Sequence, residues 1–187
     1  MILRIIFVVF IFTDFCIAEN ISVYENQSKI VIKELGKSLK TTLKSIIKES
    51  GPVAAIEYCN IAALDLTEDI SDRRKLILKR TSLKYRNIKN IPDKWELSVL
   101  KSFKKRKDDG ESLNSINESK IVLEGENTYF RFMQVIPVGK PCITCHGSNI
   151  KPDIVAKIDE LYPNDMARGF KVGDIRGAFS VKVPLNN

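Results

Sequence analysis

Histidine is the scarcest chemically informative residue here. The 187-residue chain contains one, His146, alongside one tryptophan, three methionines and four cysteines. A single imidazole excludes any centre that needs two, so bis-histidine ligation of a metal is closed to this protein by composition. Four cysteines are too few for a disulfide-built scaffold, and the chain is long enough to bury a core without disulfides or a structural metal. The apolar run Ile5 to Phe12 spans eight residues, well short of the roughly 20 that a membrane helix requires. There is no internal repeat and no low-complexity tract. With 44% hydrophobic and 28% charged residues, the composition is that of an ordinary globular domain, not of a disordered tail.

What is present begins with an export signal. In "MILRIIFVVFIFTDFCIAEN" a charged Arg4 precedes the apolar run, and a short polar break leads to Cys16-Ile17-Ala18. That layout predicts a secretory signal over residues 1–18, cut after Ala18. Cys16 follows the bulky Phe15, where lipid attachment favours a small residue, so Cys16 is expected to leave with the signal. Residues 19–187 then form one domain in the periplasm, with no stable membrane span after cleavage. That compartment is oxidising, and thiols kept there must be paired, metal-bound or otherwise occupied.

The formal charge of +7 survives the joint loss of Arg4 and Asp14. Basic residues crowd into Lys29 to Lys48 and Arg73 to Lys107, most densely in "KSFKKRKDD". A basic face suits an acidic partner or an anionic membrane surface, although most such runs are the solvated side of a helix. Nothing resembles a nucleic-acid recognition motif.

From Ser28 to Ser50, apolar residues recur at Val31, Leu35, Leu39, Leu43 and Ile46 or Ile47 among lysines. The period predicts a long amphipathic helix ended by Gly51-Pro52. A second helix is expected from Pro52 through Ile70, turning Cys59 towards the interior. A third is signalled by "PDKWELSVLKSFKKRK", where Asp93 can cap and Glu96 can complete a capping box. Beyond it the period changes. "SKIVLEGENTYFRFMQVIPV" predicts two strands around a turn at Gly125-Glu126-Asn127, and "GDIRGAFSVKVPL" predicts a closing half-buried strand. With the helical "PDIVAKIDELY" between them, these elements define an α+β domain with an antiparallel sheet.

The chemistry is concentrated in Cys142-Ile143-Thr144-Cys145-His146, the pattern by which c-type haem is attached. Cysteines three apart on a helical turn face the same way. Their sulfurs can both add to the vinyl groups along one porphyrin edge, and His146 is carried beneath the ring to reach the iron. A disulfide or redox dithiol between Cys142 and Cys145 leaves the histidine unexplained. A zinc site of Cys59, Cys142, Cys145 and His146 requires adjacent residues to bind one tetrahedral ion, which is sterically awkward. One covalently attached haem c accounts for all three residues and agrees with export.

With His146 on one side of the iron, the opposite position is open to Cys59, Met133, Met166, a lysine, water or nothing. Cys59 has the strongest claim, because it is the odd thiol in a secreted chain. Its competing role is that of a small buried hydrophobe. Met133 sits in a strand pattern beside Phe132, and Met166 in the polar "YPNDMARGF" loop. Arg80, Lys84, Arg86, Arg131 and Arg176 are the candidate partners for propionates.

Four phrases carry a wider likeness: "AIEYCNIAA", "RTSLKYRNIKNIPDKWE", "CITCHG" and "YPNDMARGFKVGDIRGAFSVKVPL". In these the chain resembles a family of single-haem c-type proteins with a PAS-like fold. The resemblance implies a PAS-like antiparallel sheet flanked by helices. It also implies His/Cys ligation, with Cys59 opposite His146. Members resemble stand-alone exported proteins or extracytoplasmic sensing parts of signalling proteins. The expected function is a haem-based redox or gas sensor, which needs a separate redox or signalling partner and a small gas ligand. The alternative is a low-potential periplasmic electron-transfer cytochrome. No enzyme is expected, since the histidine is committed and no second acid–base residue can be named.

Overall fold

The computed structural model describes residues 12–185, with side chains from residue 21 onward. Residues 1–11 of the expected signal lie outside the described residues. Helix α1 (Phe12–Asn60) carries the predicted amphipathic stripe and buries Val31, Ile32 and Leu35 completely or nearly so. Gly51-Pro52 ends its first segment, as the sequence predicts. Gly51 swings to φ 83, ψ 173, which kinks the axis, and the helix resumes at once to Asn60. Proline opens this second segment without penalty because a first-turn amide proton has no helical acceptor. The second segment, expected to run through Ile70, is interrupted at Ile61 (φ −113, ψ −74), after which α2 (Ala62–Arg74) begins. Lys75 then turns left-handed (φ 52), and the N–H groups of Lys75 and Leu76 donate to the carbonyls of Asp72 and Ser71.

A strand absent from the sequence reading follows, β1 (Ile77–Thr81). Helix α3 (Lys94–Asp108) starts on the expected capping box. The Asp93 carboxylate accepts from Glu96 N at 2.8 Å, and Glu96 Oε2 accepts from Asp93 N at 2.9 Å. Strands β2 (Asn117–Glu124) and β3 (Asn127–Pro137) form a hairpin around the two-residue turn Gly125-Glu126, with Gly125 at φ 63. After the single-turn α4 (Ile143–His146) and α5 (Pro152–Leu161), β4 (Ile175–Pro184) closes the chain.

The sheet has the order β1-β4-β3-β2 with every pair antiparallel. Leu78, Val181 and Phe132 lie in register on one face, which packs Phe130, Phe132, Val181 and Val183 against Val31, Ile32 and Leu35 of α1 and Ile70 of α2. The opposite face sets Met133, Val135 and Ala178 against Val99, Leu100 and Phe103 of α3. Each of the fully buried phenylalanines contributes on the order of 2–3 kcal/mol. Helices thus cover both sides of β4, and for that reason Ser180 is buried instead of solvated. The molecule is an α+β domain with a long N-terminal helix, as the sequence predicts. No described helix is long and apolar enough to cross a membrane.

The register also positions the site. Pro137 pairs with Ile175, and Thr81 with Ala178. The ends of β1 and β3 and the start of β4 therefore meet at one end of the sheet. Three connections leave from that end: residues 82–93, 138–151 and 162–174.

Candidate cofactor site

The Cys-x-x-Cys-His segment forms a 3-10 turn, Lys140–Cys142, that runs directly into α4. Gly147 closes it by donating to Ile143 O at 3.0 Å. A Cβ at Gly147 would stand 2.5 Å from that same oxygen, so the backbone approach demands glycine. Cys142 packs on Val138, Ala167 and Phe170, with its Sγ accepting from Gly139 N at 3.3 Å. Cys145 packs on a cluster of Ile56, Ile154, Ile158 and Tyr162. Cys59, Cys142 and Cys145 are free, half-buried thiols.

His146 is held by the connection before β4. Gly169 N donates to Gly147 O and Phe170 N to His146 O, both at 2.9 Å, and the Phe170 ring stands edge-on to the imidazole (centroids 6.3 Å apart, 89°). His146 Nδ1 lies 2.8 Å from Ala167 O. A carbonyl can only accept, so Nδ1 carries the hydrogen and Nε2 keeps its lone pair. Burial, with the charges of Arg176 and Arg86, drives the His146 pKa down to about 3. The ring is neutral at physiological pH, the form that ligates metal.

Beside His146 opens a cleft of about 150 Å³, lined among others by Arg80, Ser82, Tyr85, Arg86, Ile136 and Arg176. The three arginines differ in their partners. Arg86 is paired with Asp165, through Nε to Oδ1 at 3.0 Å and Nη2 to Oδ2 at 3.3 Å. Among the described residues the Arg176 guanidinium hydrogen-bonds only to neutral groups, Ser82 Oγ at 3.2 Å and Lys84 O at 3.0 Å. Burial, with Arg86 and Arg80 nearby, lowers its pKa to about 10. The Arg80 side chain has neither hydrogen bond nor ion pair among the described residues, and burial lowers its pKa too. Two guanidinium charges in a half-buried cleft without carboxylates favour an anionic ligand.

The other sequence candidates separate. Cys59 occupies the last turn of α1, one turn beyond Ile56, within electrostatic reach of Cys145 and Arg80, but it does not line the cleft. Burial raises its thiol pKa against the opposing pull of Arg80 and Arg86. Met133 is wholly buried in the α3-facing core, and Met166 is half exposed at 50%. Arg131 is committed elsewhere, to Asp93, Glu96 and Glu124 and to the face of Trp95, 4.4 Å away. Lys84 lies over Phe170 and lines a second cavity instead. Among the described residues no three His, Cys, Asp or Glu side chains gather to hold a metal ion, so a Cys₃His zinc site is not assembled. Sequence reasoning missed Asp165 and Ala167, which support the histidine from the next connection, because nothing in "YPNDMARGF" marks a carbonyl as an acceptor.

Fold and site together define a class: a small α+β protein that presents a Cys-x-x-Cys-His turn and a neutral, oriented histidine at one end of a four-stranded antiparallel sheet. The chain belongs to the Tll0287-like family, whose model matches residues 18–184. Its structure is similar to that of the cyanobacterial heme-protein Tll0287, with a TM-score of 0.66 and 23% sequence identity, covering 87% of this chain and 97% of that one. Likeness at that identity carries the fold alone. Among curated proteins none matches the chain.

Proposed function

We propose that this chain is an exported, single-haem c-type protein of PAS-like fold that works in the periplasm as a redox or gas sensor. In this reading Cys142 and Cys145 would hold the haem through thioethers, and His146 and Cys59 would supply the ligands to its iron. The observation that carries it is the state of His146: neutral, with Nδ1–H tied to Ala167 O at 2.8 Å and Nε2 left as a lone pair, one residue beyond two free thiols. The heme-protein of similar structure lends support, as does a cleft with two unpaired guanidiniums, Arg80 and Arg176, where two propionates would be received. Haem so held supplies a one-electron iron couple and, where an axial ligand leaves, a site for a small gas.

The chain's own residues do the rest. Ala167 and Phe170 fix the imidazole. Ile56, Ile154, Ile158 and Tyr162 pack against Cys145. The half-buried setting of Cys59 disfavours a bare thiolate, so its sulfur would be a ligand sensitive to the charge of the iron it met. A second reading, an electron carrier, is favoured by the exposure of the turn itself. Ile143 is 38% exposed, which leaves the thioether edge open to a redox partner.

Absorption spectra of the exported protein, oxidised and dithionite-reduced, with and without carbon monoxide, test both readings against Cys59→Ala. Ferric thiolate features lost in the variant, with carbon monoxide binding to the reduced wild type, are the expected result. Six-coordinate spectra in both states that ignore carbon monoxide shift the assignment to electron transfer. A protein without haem bands overturns both.

A further inference from the structure

The acceptor of the His146 hydrogen bond is shared. Ala167 O takes His146 Nδ1–H at 2.8 Å and also Arg86 Nη2 at 3.3 Å. The same Nη2 donates to Cys145 O at 2.7 Å, so one guanidinium grips the carbonyls on both sides of the imidazole's attachment. Arg86 is itself fixed by Asp165, whose side chain is 2% exposed against 10% for the arginine. Asp165 Oδ1 in turn accepts from Ala167 N at 3.0 Å, and Oδ2 from Arg168 Nε at 2.7 Å. The contacts form a closed ring: Asp165 holds Arg86 and the Ala167 amide, Arg86 holds the Ala167 carbonyl, and that carbonyl holds His146.

A carbonyl that receives an imidazole N–H pushes electron density towards Nε2 and makes it a stronger donor to a metal. A second, positively charged donor on the same oxygen draws density away and weakens that push. We propose that Arg86, held by Asp165, is a positioning residue for His146 and sets the reduction potential of the centre through the shared Ala167 carbonyl. The proposal rests on the haem reading above. Removing Arg86 leaves the carbonyl to His146 alone, so Nε2 donates more strongly and the oxidised state gains. The couple is one-electron, with the electron supplied by an electrode through a mediator, and no bond in the chain is made or broken.

The test is a potentiometric titration of the haem-loaded protein for wild type, Arg86→Gln, Arg86→Lys, Asp165→Asn and, as a charge control that touches neither carbonyl, Lys84→Gln. For Arg86→Gln the reduced-to-oxidised ratio at fixed potential should fall three- to tenfold, the upper end being about 59 mV for a one-electron couple. Arg86→Lys keeps the charge but cannot bridge two carbonyls and a carboxylate. It should reproduce at least half of that shift on a logarithmic scale, while Lys84→Gln stays within twofold.

Because His146 is the only histidine, ¹⁵N-histidine labelling yields one imidazole to follow. Its Nδ1–H signal should move in Arg86→Lys and Asp165→Asn, in reduced holoprotein and in a haem-free Cys142→Ala/Cys145→Ala background. If the potential and the imidazole signal stay at wild-type values in both Arg86 variants, the proposal is overturned. So is it if Lys84→Gln shifts the potential as far as Arg86→Gln. Absence of haem from the wild type is a separate result, which removes the reading beneath the proposal, while the haem-free arm still reports whether Arg86 reaches the imidazole.

Discussion

Gly177 marks the point where β4 passes β1 too closely for any side chain. A Cβ placed there would meet Thr81 O at 2.2 Å and Ser82 Cβ at 3.0 Å. The closeness serves the cleft, because Ser82 Oγ donates to Arg176 O at 2.7 Å and receives Arg176 Nη1 at 3.2 Å, which fixes one unpaired guanidinium beside His146. Backbone oxygen cannot rotate away as a flexible side chain can. Gly177→Ala is therefore expected to destabilise the fold by about 2–3 kcal/mol, at the upper end of overpacking costs. Urea unfolding monitored by far-UV circular dichroism checks this, and an unchanged midpoint would show that β1 can move aside. Residues differ in how openly the sequence declares them. Cys142, Cys145 and His146 are legible because they stand in one short run with a recognisable spacing, and one connection contains all three. Arg86, Asp165 and Ala167 are not, since Arg86 is 79 positions from Asp165 in the chain and they meet only through the sheet register.

Helix α3 is the element that sequence specifies best, and its cap does double duty. The Asp93 carboxylate accepts Glu96 N at 2.8 Å and Arg131 Nη2 at 2.6 Å. Burial works to raise its pKa, but the bonds to Arg131 and the Glu96 amide outweigh it and the net shift is downward. A carboxyl depressed in the folded state adds stability at pH above its unfolded pKa, about 3.9. That contribution disappears as pH falls through the lower folded value. Asp93→Asn preserves the cap, since asparagine caps as well as aspartate, and removes the charge. At pH 6 the variant should be less stable than wild type, by about 1 kcal/mol or less because the carboxylate is 48% exposed. The gap should close as pH falls below about 4 and through the lower folded value. Urea midpoints at several pH values measure it, and a gap constant with pH would mean that Arg131 draws nothing from Asp93.

Strand β1 escaped the sequence reading for a related reason. In "ILKRT" two of five residues are basic, yet Lys79 is occupied by Glu96 at 3.0 Å and Arg80 by the cleft. Tertiary partners there override a weak alternation. The run "KSFKKRKDD" likewise proves less basic than it reads, since Lys104 and Lys105 are matched by Asp108 and Asp109 one turn on, and Arg106 by Glu111.

At the scale of the whole molecule the two ends of the sheet have different work. The β2–β3 hairpin is closed by a two-residue turn and an unbroken ladder from Asn117↔Gln134 to Glu124↔Asn127, and it needs nothing from the cleft. The opposite end depends on loop-to-loop bonds: Val138 N to Asp174 O at 2.8 Å, Gly173 N to Val138 O at 2.9 Å, and the pair that joins Gly169 and Phe170 to Gly147 and His146. These bonds join connections whose shared apolar burial is confined to two small clusters, one around Val138, Ala167 and Phe170 and one in which Cys145 and Ile150 meet Tyr162. In a haem-binding protein the cofactor stabilises the state that binds it by mass action, and a covalent link holds its effective concentration high. On the haem c reading proposed above, loss of the link should therefore be felt locally, because openings in folded domains run from nearly free up to the global unfolding free energy.

Hydrogen exchange of wild type and Cys142→Ala/Cys145→Ala makes this measurable. The amides of Val138, Gly147, Gly169, Phe170 and Gly173 should exchange at least about tenfold faster in the variant, equivalent to about 1.4 kcal/mol of local stability. The β2–β3 ladder should keep its wild-type protection. Acceleration spread evenly over both ends would mean that the cofactor supports the entire fold. Unchanged protection at the cleft end would mean that the chain alone holds His146 in place, and the preorganised imidazole would then be a property of the protein before any haem arrives.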